Sequence, residues 1–128
     1  MVSVSPVRIQ LRRVKGWRKP AGVIVVARPT RWGNPYRWTD YLSTWVDEDG
    51  VEHTRPAAER RRLAVVDFEA AVRYGIGGRP DGYPAVDEIR RDLAGRDLAC
   101  WCPPEQRCHG DVLLAIANQQ AEGPPREG

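Results

Sequence analysis

Residues 97–102, DLACWC, decide the fold. Leu98, Ala99 and Cys100 make a short apolar run between Gly95 and the Pro103-Pro104 pair, the pattern of a buried strand. On its C-terminal side, residues 109–118 carry Val112, Ala115 and Ile116 at helical spacing. On its N-terminal side, Val86, Ile89 and Leu93 stand at i, i+3 and i+7 of another helix that ends at Gly95. A strand between two helices points to an α/β sheet covered by helices.

Working outward, the link GIGGRPDGYP, residues 75–84, separates that helix from a longer one over residues 56–74. There Leu63, Val66, Ala70 and Tyr74 share one stripe, and Gly75 closes the helix. Near the N-terminus, Val7, Ile9 and Leu11 alternate with Arg8, Gln10 and Arg12, as in a strand with one face buried and one wet. The run VIVVA, residues 23–27, is rich in β-branched residues and is expected at the centre of the sheet. Residues 42–46 and 51–54 flank a turn at Asp49-Gly50 and predict a short β-hairpin, with His53 at the surface.

A chain of 128 residues, 41% of them hydrophobic, suffices for one compact core. The expectation is a single α/β domain over residues 1–120, followed by a disordered tail over 121–128. No apolar run approaches the roughly 20 residues that span a bilayer, so no membrane association and a cytoplasmic location are expected. The three cysteines lie within nine residues of one another, too close for a disulfide framework and suited to local chemistry, metal binding or packing.

Charge is uneven. Residues 1–39 hold nine basic residues and no acidic one, which leaves 11 basic residues against all 17 acidic ones in the remainder. A basic third suggests a phosphate-bearing partner, either a nucleotide or a nucleic acid.

The chemistry concentrates in CWCPPEQRCHGD, residues 100–111, where three readings stay open. Cys100, Cys102, Cys108 and His109 could form a tetrahedral zinc site, although C-x-C followed by C-H is not the usual paired knuckle. Alternatively, Cys102 opens a six-residue loop of rhodanese-like length that ends at Arg107, with Cys102 as nucleophile. Pro103 and Pro104 weaken that reading, because each removes an N–H donor from an anion cradle. In the third reading the chemistry falls to His109 and Asp111, with His109 able to act as acid or base and Arg107 on a phosphate; Asp111 equally suits a helix cap. A second loop, RPTRWGNPY over residues 28–36, follows the VIVVA strand and should meet the first at the C-terminal edge of the sheet. It offers Arg28 and Arg31 to phosphate, Trp32 and Tyr36 to a base, and Thr30 and Asn34 as polar partners, with Gly33 permitting close approach.

The segments VRIQLRRVKGWRKP, ARPTRWGNPY and LAGRDLACWCPPEQRCHGDVLLAIAN together resemble a family of short phage and bacterial proteins known as domain of unknown function 4326. The likeness runs from about Val7 to Asn118 and implies a phage-type protein without assigning it an activity. A fainter likeness, to domain of unknown function 488, places a C...P..CH pattern on Cys102, Pro104, Cys108 and His109. It implies a Rossmann-like α/β layout and argues against zinc. The leading expectation is a small protein that binds, and in a stronger form processes, a nucleotide or related phosphate-bearing substrate between the two loops. The rival is a non-enzymatic module, compact or zinc-stabilised, that grips nucleic acid or a host protein through the basic N-terminal third.

Overall fold

A computed structural model describes residues 6–118; the tail expected over 121–128 lies outside them. Strands β1 (Arg8–Gln10), β2 (Ile24–Val25) and β5 (Leu98–Cys100) form a parallel sheet in the order β1-β5-β2. Arg8 pairs with Leu98 and Gln10 with Cys100 on one side of β5; Ile24 pairs with Leu98 and Val25 with Ala99 on the other. The VIVVA run is therefore an edge strand, contrary to the expectation that it lies centrally. Within it Val23, Val26 and Ala27 are buried, but Ile24 and Val25 are only half-buried. The central place goes to β5, whose three residues are all buried. Only a strand with neighbours on both sides and covered faces needs so uniformly apolar a run.

Helix α1 (Ala57–Tyr74) packs through Ala64, Val65, Phe68, Ala71 and Val72. The stripe expected from Leu63, Val66, Ala70 and Tyr74 is rotated away from this face, and Val66 and Tyr74 are exposed. Phe68, the chain's one phenylalanine, sets the buried face: it meets Tyr83 and His109 edge to face, each at 5.4 Å between ring centres. Gly75, at φ 71°, ends the helix in a left-handed cap, with its N–H on the Ala71 carbonyl and that of Ile76 on Ala70. Helix α2 (Val86–Leu93) buries Ile89 and Leu93 against α3 (His109–Asn118), which also contacts α1, β5 and β1. The buried apolar side chains of the sheet and all three helices form one cluster.

The hairpin joins β3 (Thr44–Val46) to β4 (Glu52–Thr54), with Trp45 opposite His53. Asp47 Oδ1 accepts the N–H groups of Asp49 and Val51, each at 2.9 Å, and thereby shapes the turn. His53 is partnered rather than merely exposed: it lies 2.7 Å from Asp47 Oδ2 and stacks on Trp45 at 4.5 Å. The chain thus adopts the expected α/β class, a small sheet with flanking helices and a short hairpin. Among the described residues no helix is long and apolar enough to cross a membrane.

Candidate functional site

Both loops singled out by the sequence leave the C-terminal ends of adjacent strands, one from β2 and one from β5, and they border one cleft of about 270 Å³. Its floor is the turn from β5 into α3. Cys100 ends the strand and Cys102 follows two residues later, the period that returns a side chain to the same face. Their sulfurs are 4.0 Å apart. Cys108 stands immediately before α3, and its sulfur accepts the N–H of Gly110 at 3.4 Å, as a capping side chain does. The three sulfurs lie within 4.8 Å of one another and can hold a metal ion.

Their proximity sets their protonation. Cys100 is held well below the ordinary thiol range because Cys102 and Cys108 can both donate to it, with burial opposing. Cys102 and Cys108 are pushed up, chiefly because Cys100 takes the charge. Of the three coupled thiols, Cys100 is therefore the one that loses its proton most readily.

Arg8 holds this floor in place. Parity put it on the wet face of β1, yet its side chain is only 4% exposed. The loop over residues 102–106 wraps around it. Nη1 donates to the Cys102 carbonyl at 2.8 Å, and Nη2 donates to those of Pro103 at 3.0 Å and Gln106 at 2.7 Å. Nε donates to Asp111 Oδ1 at 2.9 Å. Burial opposes the Arg8 charge, but the Asp111 bond and the nearby thiols outweigh it, so its pKa is raised. Gly110 permits the close approach: a Cβ there would stand 2.9 Å from Arg8 Cδ.

His109 and Asp111 are not brought together as an acid–base pair. Asp111 gives one oxygen to Arg8 and the other to the Cys108 N–H at 2.9 Å, which is the capping role. His109 is 7% exposed, with Nε2 2.8 Å from the Val26 carbonyl. A carbonyl only accepts, so Nε2 carries the proton and Nδ1 is left 3.5 Å from Cys108 Sγ. Burial pushes the His109 pKa down, with the Cys100 charge and the Val26 bond opposing, and the ring stays neutral near pH 7. Although it borders the cleft, His109 is not part of the group of mutually close ligand atoms, so the four-ligand set expected from the sequence contracts to three sulfurs.

The facing wall divides the expected ligand-binding residues. Arg28, Asn34 and Tyr36 line the cleft, as do Cys102 and Arg107 across it. Asn34 is structural: its Oδ1 accepts the Tyr36 N–H at 2.8 Å and its Nδ2 donates to the Ala64 carbonyl. Thr30 turns its hydroxyl onto the Ala27 carbonyl at 2.7 Å. Gly33 is needed because a Cβ there would lie 2.6 Å from Arg28 Cγ. Arg31 and Trp32 are corrections. Trp32 is 6% exposed and belongs to the core, while Arg31 lies over its ring at 4.4 Å and pairs outward with Glu88 and Asp92 on α2. Neither lines the cleft.

Sequence reasoning missed Arg61 and Trp38, which complete the rim; the Arg61 guanidinium sits 4.4 Å above the Trp38 ring. The signal available was the Arg60-Arg61-Arg62 run, with Arg61 preceding the buried Ala64 by one helical turn. Trp101, 41% exposed, also borders the cleft, under the guanidinium of Arg13 at 4.3 Å. No carboxylate among the described residues lines it. Arg107 bonds Glu69 at 3.0 Å from the rim.

No curated protein and no solved structure is significantly similar to the chain. A family model does match: domain of unknown function 4326 covers residues 9–119, a span that takes in all of the sheet but its first residue, both loops and all three sulfurs, and the chain belongs to that family.

Proposed function

We propose that the cleft binds a nucleotide or a closely related phosphate-bearing molecule. One observation carries this: three arginines, Arg28, Arg61 and Arg107, and three aromatic residues, Tyr36, Trp38 and Trp101, border a single cleft that no described carboxylate lines. Guanidinium forks suit phosphate oxygens, and aromatic faces suit a base. A volume of about 270 Å³ matches one nucleotide rather than a duplex.

For the three sulfurs beneath, zinc is the ion that fits best. Tetrahedral zinc with Zn–S bonds of about 2.3 Å sets its sulfurs roughly 3.8 Å apart, close to the 4.0 Å between Cys100 and Cys102. Elemental analysis of protein purified without added metal tests this; zinc well below one equivalent per chain removes it.

Calorimetric titration with purine and pyrimidine mononucleotides tests the binding. Arg28→Ala should weaken the best ligand by roughly tenfold or more, the loss of one charge-assisted bond. Failure of every nucleotide to bind the parent protein, or equal affinity in the variant, ends the reading. The exposed Arg12, Arg13, Lys15, Arg18 and Lys19 favour the second reading, a nucleic-acid-binding module. It predicts affinity for single strands that falls steeply with salt and is indifferent to Arg28→Ala.

A further inference from the structure

We propose that the metal at this site has only three protein ligands, Cys100, Cys102 and Cys108, and that its fourth coordination position opens into the cleft, where water or a donor atom of the bound molecule fills it.

The sulfurs need little movement to reach a common ion, since all lie within 4.8 Å of one another and loop closure around Arg8 has already assembled them. A structural zinc site would need a fourth protein ligand. The nearest candidate is His109, whose Nδ1 is 3.5 Å from Cys108 Sγ. Its other nitrogen is bound to Val26, and its ring stands edge-on to Phe68 at 5.4 Å. Swinging Nδ1 toward Cys100 and Cys102 would break the Val26 bond inside the core and leave that carbonyl unpaired. Asp111 has both oxygens engaged, and no described carboxylate lines the cleft. What borders all three sulfurs instead is the cleft itself.

Three ligands with an open corner is the arrangement of reactive zinc rather than of structural zinc. Two features suit it to a ligand with a nitrogen heterocycle at one end and phosphate at the other. Cys100 and Cys108 are buried at the floor, where a ring nitrogen could reach the ion, while Arg28 and Arg107 are exposed at the rim. This ligand assignment rests on the nucleotide reading; the open coordination position does not.

Cobalt substitution separates the two. The full chain, stripped of metal under reducing conditions, is titrated with Co²⁺ and followed by its sulfur-to-cobalt charge-transfer and d–d absorption. One cobalt per chain is expected, with d–d bands that shift when millimolar imidazole is added. His109→Gln should keep one cobalt per chain, with affinity reduced by no more than about a hundredfold, as for a neighbour that only supports a ligand. Cys102→Ser should lose more than that. No cobalt uptake, bands indifferent to imidazole, or loss of cobalt in His109→Gln each overturns the open position, the last by making His109 the fourth ligand. If His109→Gln fails to fold, the imidazole response of the parent protein decides alone. Adenosine monophosphate should then move the same bands. If calorimetry detects its binding while the bands stay still, direct coordination of the ring is refuted; if no nucleotide binds yet imidazole shifts the bands, the nucleotide reading falls and the open position stands.

Discussion

Replacing Arg8 by alanine removes the one side chain around which the residue 102–106 loop closes. Its bonds to the carbonyls of Cys102, Pro103 and Gln106, at 2.8, 3.0 and 2.7 Å, are of good length. Each would contribute about 1.5–3 kcal/mol if fully buried, since the donor is charged. The loop residues are half-buried or exposed, however, and their carbonyls regain water, which brings each nearer to about 1 kcal/mol. The Asp111 carboxylate is 37% exposed, so its ion pair adds about 1 kcal/mol. The expected loss is about 4 kcal/mol, inside the range for removing one partner of a buried pair. In a domain of this size that lowers the melting temperature by roughly 12–24 °C. Urea unfolding followed by circular dichroism measures the loss. Arg8→Lys should recover no more than half of it, because an ammonium lacks the planar fork that serves several carbonyls at once. A loss below about 1 kcal/mol for Arg8→Ala would refute the assignment of Arg8 as the organiser of the site.

Gly110→Ala sets a Cβ 2.9 Å from Arg8 Cδ and should destabilise by about 1–3 kcal/mol; in the Arg8→Ala background most of that cost should vanish, a coupling that a double-mutant cycle reads directly. Gly33→Ala presses on the backbone of Arg28 as well as its side chain, at 3.0 and 2.6 Å, and should cut both stability and nucleotide affinity, measured by thermal melts and calorimetry. Arg31→Ala should leave nucleotide affinity unchanged within about twofold, since Arg31 pairs outward with α2 in an exposed salt bridge of small worth. The hairpin should loosen in acid. His53, followed by backbone N–H bonds, holds the Asp47 carboxyl below its usual range, so the stabilisation is present above the ordinary carboxylate pKa and fades as pH falls through the lowered one. The Trp45 indole resonance, reporting its stack on His53, should shift through that acidic window.

Much of this was legible in the sequence because it depends on local pattern. Apolar runs bounded by glycine and proline located β2 and β5, helical spacing located all three helices, and Asp49-Gly50 located the hairpin. The density of cysteine, histidine and arginine over residues 100–111 pointed to the turn where the three sulfurs meet, and the C-terminal-edge rule brought the two loops to one cleft. What escaped was whatever depends on a distant partner. Strand order turned on which apolar run had neighbours on both sides, and the buried face of α1 was set by where Phe68 meets Tyr83 and His109. Arg8 shows why most clearly. Alternation reports that its side chain leaves the apolar face of β1, but its destination is Asp111, 103 residues away, and a loop whose carbonyls need a donor. Periodicity encodes direction relative to the strand and not what waits there, so only the tertiary structure could turn a solvated arginine into the support of three converging sulfurs, or commit His109 to the Val26 carbonyl.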